Sequence, residues 1–250
     1  MKKFLCSVII GMISMTMIIP TVIADAESKY NINTISELHE VIEKENKDGI
    51  NDSEREIIIK KTSPEVLNAY FDNIEKEAKQ KINSIGEQKM TIDLNTKGEV
   101  IKNIVKIPIE GGEVILENNM IPIEKNSREY LSYGDYKLQS KYRIKHTLYP
   151  DTYLVLNTFY NVKSDGLRAT STSTGGTSAV WPNKVSGSSR VTDSRAEKIS
   201  YDINGQGDYK YTLEVLGNQI VQRDSTIISY VKWVGKSGNK LDVSYWSNIS

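Results

Sequence analysis

Residues 141–162 read KYRIKHTLYPDTYLVLNTFYNV, and this stretch decides the fold class of the chain. Apolar and polar residues alternate from Lys141 to Tyr149, and a run rich in β-branched and aromatic residues extends from Tyr153 to Val162. Pro150 and Asp151, which are typical turn residues, separate the two runs. A parallel pair would need a crossover of about a dozen residues, so this stretch predicts two antiparallel strands.

The same pattern of short strands and turns continues on both sides of this stretch. Further strands are predicted at residues 90–94, 100–109, 114–116, 167–173, 198–203, 209–216, 219–234 and 241–246. The turns between them include Asn204-Gly205, a strong hairpin signal. Because no room is left for crossover helices, residues 87–250 are predicted to form an antiparallel β domain, either a β-sandwich or an open barrel.

The chain before residue 87 has the periodicity of helices, which makes the whole an α+β protein. From Ser63 to Gly86, apolar residues fall on one helical stripe at positions 66, 67, 70, 71, 74, 78, 82 and 85. A shorter helix is predicted from Ile35 to about Asn46, preceded by a capping box of Thr34 and Glu37. Residues 27–86 thus form a helical region that either packs on the following sheet or serves as a removable pro-segment.

Residues 1–26 have the pattern of a secretory signal peptide. Lys2 and Lys3 precede an apolar run over residues 4–23, and small residues at Ala24 and Ala26 suit a signal peptidase. The alternative is a retained membrane anchor, because the run is about as long as the roughly 20 residues that span a bilayer. The predicted location is secreted and extracellular, with no membrane association once the signal is removed.

Composition restricts the class of protein further. Cys6, inside the predicted signal, is the only cysteine, so the exported chain would have no disulfide. Richness in Lys, Ile and Asn suggests a Gram-positive bacterium. With 32 basic and 32 acidic residues the chain is neutral, which disfavours a nucleic-acid partner. No cofactor is predicted.

No motif identifies a catalytic residue or a metal site. The only histidines are His39, on a predicted helix, and His146, on a predicted strand. No G-x-S-x-G elbow occurs. The segment from Asp202 to Asp208 resembles the start of a calcium-binding EF-hand loop, but the twelfth position holds Leu213 where a glutamate is required. A plain turn is the favoured interpretation, with calcium as the alternative.

The candidate ligand-binding residues are aromatic. Residues 170–189 are rich in Ser, Thr and Gly, and are predicted to form a long loop or ragged strand pair that carries Trp181. Twelve of the 14 tyrosines lie between Tyr130 and Trp246, and Tyr201 and Tyr209 are the candidates that accompany Trp181. An exposed aromatic ring can stack on a sugar or insert into an interface. Structural filling of the sheets is the alternative role.

These observations predict a non-enzymatic extracellular or cell-wall binding module. The expected partners are cell-wall glycan, another secreted protein or a host or cell surface. One alternative is the precursor of an antimicrobial or toxin-like β domain that sheds its helical region. Another is an extracellular hydrolase with an unrecognised carboxylate or His146 site.

Overall fold

The computed structural model describes residues 32–46, 50–93, 99–123, 134–149, 151–179, 183–215 and 218–250. The predicted signal peptide, residues 1–26, and the candidate ligand residue Trp181 lie outside these ranges. No helix within the described ranges is long and apolar enough to cross a membrane.

Three helices open the described chain: α1 (Ile35–Asn46), α2 (Asp52–Lys61) and α3 (Pro64–Asn83). The predictions of α1 and α3 are confirmed, and Ser63 caps α3 by accepting a hydrogen bond from the Val66 amide. The sequence analysis missed α2, whose consecutive isoleucines lack helical spacing. Its start is nevertheless marked by a capping box in which Asn51 and Glu54 each bond to the other's backbone amide.

Twelve strands follow, and every pairing between them is antiparallel: β1 (Gln88–Asp93), β2 (Ile101–Ile109), β3 (Gly112–Ile123), β4 (Asp135–His146), β5 (Thr152–Lys163), β6 (Gly166–Ser173), β7 (Ser178–Ala179), β8 (Lys184–Asp193), β9 (Arg195–Ala196), β10 (Asp202–Val215), β11 (Asn218–Ser237) and β12 (Lys240–Ile249). A five-stranded sheet has the order β1-β12-β11-β10-β8. A seven-stranded sheet has the order β2-β3-β4-β5-β6-β9, with β7 beside β5. The fold is therefore α+β and mostly antiparallel, and its two sheets form a sandwich-like arrangement.

The stretch that decided the fold class pairs as predicted. Strands β4 and β5 run antiparallel, with Ile144 opposite Thr152 at the connection. Of the two alternatives predicted for residues 170–189, a long loop or a ragged strand pair, the structure is nearer to strands, because β6 continues to Ser173 and β8 begins at Lys184. Strand β8 gains its order from β10, on which it pairs along nearly its whole length.

The predicted hairpin turn at Asn204-Gly205 is wrong. Strand β10 passes straight through it and pairs with both β8 and β11. Gly205 faces the opposite sheet so closely that a Cβ there would lie 2.2 Å from the Thr158 Oγ1. A glycine is therefore needed at position 205 because the two sheets approach closely there, and not because the chain turns. An extended strand also cannot wrap around an ion, so Asp202 to Asp208 form no EF-hand loop.

The interior contains two apolar clusters. The first joins the buried faces of the helices to one end of both sheets, through residues such as Phe71, Tyr142 and Ile249. The second fills the other end, through residues such as Tyr160 and Trp233. We call the first the helical end and the second the distal end, where β1, β3, β5 and β11 finish and β2, β6 and β10 start.

A belt of small polar side chains separates the two clusters. The Ser140 and Ser247 hydroxyls lie 2.6 Å apart, and Ser247 Oγ donates to Asn118 Oδ1 at 2.8 Å. The Thr158 and Ser229 hydroxyls form a second cross-sheet bond of 2.6 Å. All five residues are buried and hydrogen-bonded, so the belt joins the sheets without leaving these hydroxyls unsatisfied.

Polar contacts fix α3 to the sheets. Glu75, a buried carboxylate within the apolar stripe of α3, accepts from the Tyr149 hydroxyl at 2.7 Å and pairs with Arg223 Nε at 3.2 Å. At the end of α3, the Asn83 amide makes two bonds to the backbone of Ile249, of 2.8 and 2.9 Å. The helical region thus shares both a core and a polar network with the β domain.

Candidate functional site

A stacked aromatic pair lies on the outer face of the five-stranded sheet. Tyr230 on β11 is directly opposite Trp246 on β12, and their ring centroids are 4.7 Å apart with planes only 3° from parallel. Strand alternation sends the neighbours Val231 and Tyr245 into the core and turns this pair outward. Both rings are partly exposed, so the pair offers aromatic surface to solvent.

Amide side chains surround the pair. Asn204 on β10 is directly opposite Tyr230, and Gln206 and Asn248 occupy the next row on either side of Ile228. The Asn204 Oδ1 is buried and accepts no hydrogen bond within the described residues, so this oxygen is not itself open to a ligand. We call the surface formed by Asn204, Gln206, Tyr230, Trp246 and Asn248 the aromatic-amide strip. It combines flat apolar area with hydrogen-bonding groups that carry no charge.

The charges beside the strip pair with one another. Glu87 accepts from the Ser244 hydroxyl at 2.8 Å and contacts Lys232 Nζ at 3.4 Å. The Ser244 hydrogen bond lowers the pKa of Glu87, so this carboxylate is ionised when it meets the lysine. Beyond Gln206, Arg190 Nη1 contacts Asp208 at 2.7 Å. A ligand on this face would therefore meet balanced charges, which favours a neutral molecule.

A shallow depression continues the strip towards the helical end. It has a volume of about 400 Å³ and lies along the outer edges of β8, β10 and β11. Gln206 Nε2 reaches its rim by donating to Asp208 Oδ1 at 2.8 Å. Its lining residues include these with hydroxyl or charged side chains: Ser186, Ser188, Asp208, Lys210, Asp224 and Thr226. The strip and the depression together extend for about 20 Å along the strands, since two consecutive residues of a strand span roughly 7 Å.

The structure places Tyr201 and Tyr209, two of the three predicted ligand residues, in different surroundings. Tyr201 is 56% exposed and lies at the distal end, where its carbonyl accepts from the Trp233 amide at 2.9 Å. Tyr209 is only 1% exposed, and its hydroxyl donates to the Val155 carbonyl at 2.8 Å. Trp181 lies outside the described residues. Tyr209 is therefore part of the core, whereas Tyr201 remains available at the surface.

The stacking of Tyr230 on Trp246 was not predicted from the sequence. Both residues lie within predicted strands, but their pairing depends on the register between β11 and β12. That register includes an irregularity between Trp233 and Gly235, which the sequence does not reveal. The presence of both aromatic residues within predicted strands was the available signal.

His146 has the contacts of a structural histidine. Its Nδ1 accepts from the backbone amides of Leu148 and Tyr149, at 3.0 and 3.1 Å. Its Nε2 lies 3.2 Å from the Tyr70 hydroxyl, and burial lowers the pKa of the imidazole to about 4. Both nitrogens are engaged within the fold, so neither is free to accept a proton from a substrate. His39, on α1, contacts the Glu110 carboxylate at 3.0 Å near the surface.

The described part of the chain contains no group of three or more His, Cys, Asp or Glu side chains placed to hold a metal ion. Comparisons with protein-family models, with curated proteins and with solved structures find no match to this chain.

Proposed function

We propose that this chain is an exported, non-enzymatic binding protein whose aromatic-amide strip recognises an extended, uncharged glycan of a cell wall or cell surface. The stacked Tyr230 and Trp246 pair on the outer sheet face is the observation that carries this proposal. Export is supported by the signal-like pattern of residues 1–26.

The chemistry of the strip suits a sugar polymer. Aromatic surface can pack against the apolar C–H faces of a pyranose, while amide groups bond to its hydroxyls. The pairing of β1 with β12 begins at Gln88, which is opposite Tyr245. Strand β1 therefore has no residue paired with Trp246. Glu87, which precedes Gln88, directs its carboxylate to Ser244 and Lys232 and not to the aromatic pair.

A binding role is also favoured over hydrolysis. The strip is a shallow, charge-balanced face, whereas a hydrolase needs a base or nucleophile aimed at a bound substrate. The hydrogen bonds at both nitrogens of His146 argue against that residue as the base.

The proposal is tested by retention on isolated cell walls and on insoluble neutral polysaccharides. Trp246→Ala and Tyr230→Ala should each weaken retention about tenfold, because a stacked aromatic contact contributes on the order of 1 kcal/mol or more. Tyr153→Ala is the matched control, since Tyr153 is a partly exposed aromatic on the outer face of the other sheet. Equal retention of the Trp246 and Tyr153 variants would remove the strip from consideration.

A further inference from the structure

Strand β1 leaves one backbone edge of the five-stranded sheet open. It is the first strand in the order β1-β12-β11-β10-β8, and within the described residues it pairs with β12 alone. An open edge presents a row of backbone donors and acceptors, so it can accept a further strand. Strand β2, at the edge of the other sheet, carries Pro108 and the exposed residues Lys102 and Lys106, which discourage such pairing. Strand β1 contains no proline.

The hydrogen bonds of β12 show which of its residues face β1. Thr226 on β11 and Ser250, the residue after β12, exchange two backbone hydrogen bonds of 2.8 and 2.9 Å. Because backbone groups alternate in direction along a strand, the even-numbered residues of β12 face β11 and the odd-numbered residues face β1. Ile249 agrees with this assignment, since its amide and carbonyl bond to the Asn83 side chain on the side away from β11.

The same alternation identifies the residues of β1 that face the open edge. Every even-numbered residue of β1 lies opposite an odd-numbered residue of β12, so the even-numbered residues bond to β12. Lys89, Thr91 and Asp93 therefore direct their amides and carbonyls to the open edge. Their side chains lie on the outer face of the sheet, where Lys89 and Thr91 are exposed and Thr91 donates to Asp242 at 2.6 Å.

We propose that β1 pairs antiparallel with β1 of a second copy of the chain, around a two-fold axis at Thr91. In this register Lys89 of each copy lies opposite Asp93 of the other, and all the opposed residues are ones whose backbone groups face the edge. Asp93 then lies between Lys240, which is opposite it on β12, and Lys89 of the second copy, so the charges alternate across the joined sheet. Opposite charges and paired threonines at directly opposed positions stabilise antiparallel strands. Because β1 is complementary to itself, its edge suits a second copy better than an unrelated strand.

The pairing joins two five-stranded sheets into one sheet of ten strands. Its two-fold axis is perpendicular to the sheet, so both outer faces point to the same side and two aromatic-amide strips share one continuous face. The two Trp246 rings lie about 30 Å apart, from a strand spacing of about 4.8 Å and a rise of about 3.4 Å per residue. Bivalent retention on a polymer follows from this arrangement, and that consequence rests on the proposed glycan recognition.

Sedimentation equilibrium of residues 27–250, which contain every described residue, tests the pairing without a glycan. The parent should form a dimer with a Kd between about 1 µM and 1 mM, because the interface is small. Thr91→Pro removes an amide that faces the open edge and should be monomeric, whereas the matched control Thr91→Val keeps this amide and should dimerise within about threefold of the parent. A parent that is monomeric at about 1 mM, or a Thr91→Pro dimer as stable as that of the parent, overturns the proposal.

Exchange of charge tests the register separately. Lys89→Glu or Asp93→Lys alone places like charges opposite each other twice, and each should weaken the dimer at least about fivefold. An equimolar mixture of these two variants places opposite charges together again and should recover the association. Lys210→Glu is the control, since Lys210 is exposed on β10, three strands away, and it should dimerise like the parent. A mixture that associates no better than the single variants overturns the register.

Retention on an insoluble neutral polysaccharide separates the dimer from its role. Thr91→Pro should be retained at least about tenfold less than Thr91→Val, because only the latter presents two linked strips. Equal retention of the two variants, with a dimer seen in sedimentation, overturns the bivalent role and leaves the pairing itself supported.

Discussion

His146 should make the stability of this protein depend on pH in a range where carboxylates are still ionised. The neutral imidazole accepts two backbone amides at Nδ1, so the proton of the neutral ring resides on Nε2 and faces Tyr70. In acid, the added proton must therefore bind to Nδ1. The protonated ring would lose both hydrogen bonds and would carry its charge in a buried position. This geometry agrees with a pKa lowered to about 4 from the 6.5 of a free histidine.

The sign and size follow from proton linkage. Between about pH 4 and 6.5 the unfolded chain binds more protons at this site than the folded chain, so stability falls as the solution is acidified. The contribution is fully present above pH 6.5 and is lost progressively towards pH 4. With about 1.4 kcal/mol for each pH unit, acidification from pH 7 to pH 5 should remove about 2 kcal/mol of unfolding free energy.

The assay is urea unfolding at both pH values, followed by circular dichroism. His146→Gln should lower stability at pH 7 but lose most of the pH dependence, whereas His39→Gln should keep the slope that His146 produces. Proton NMR of the imidazole provides a direct reading. A parent protein whose stability is unchanged between the two pH values, or a His146 resonance that titrates near pH 6.5, would refute the reasoning.

Three further substitutions test the packing, each by urea unfolding at neutral pH. Gly205→Ala should lower the unfolding free energy by at least about 2 kcal/mol, because its methyl group would meet the Thr158 hydroxyl at 2.2 Å. The control Gly86→Ala, whose methyl group would have no atom within 4 Å, should change it by less than about 0.5 kcal/mol, and equal losses in the two variants would contradict the close sheet contact. Asn83→Ala removes both side-chain bonds to the last strand and should cost about 1 to 3 kcal/mol; a neutral result would show that α3 does not depend on them. Glu75→Gln removes the carboxylate that contacts Arg223 Nε but leaves Asp72 at 2.9 Å from Arg223 Nη2, so it should cost about 1 kcal/mol, and an unchanged or higher stability would argue against a stabilising Glu75–Arg223 pair.

The parts of the fold that local chemistry determines could be predicted from the sequence. Helix α3 has its cap at Ser63 and an apolar stripe that is buried from Val66 to Ile82, since periodicity and capping act within one segment, although the predicted stripe residue Ile85 lies beyond the helix and is partly buried. Glu75 lies buried in the same stripe. Its ion-pair partner there is Arg223 on β11, which is 148 positions away in the chain. No pattern in the sequence around Glu75 indicates that Arg223 is its partner.

The errors arose where another part of the fold overrides local preference. Asn204-Gly205 is a good turn by itself, yet the approach of the facing sheet requires small residues in β10. The candidate site depends on register in the same way, because a shift of one residue would turn Trp246 into the core and Tyr245 outward. Aromatic content alone thus could not predict which rings lie together on the outer face of the sheet.

The pairing of β1 with β12 has a consequence for how the protein is made. Thr91 and Asp242 bond across this pair although they are 151 positions apart in the chain, and Asn83 also depends on the final strand. The five-stranded sheet therefore cannot be completed until β12 has left the ribosome. Contacts of such long range slow folding. A sheet that stays incomplete until β12 is made would suit the proposed export, in which the chain passes a translocation channel before it folds.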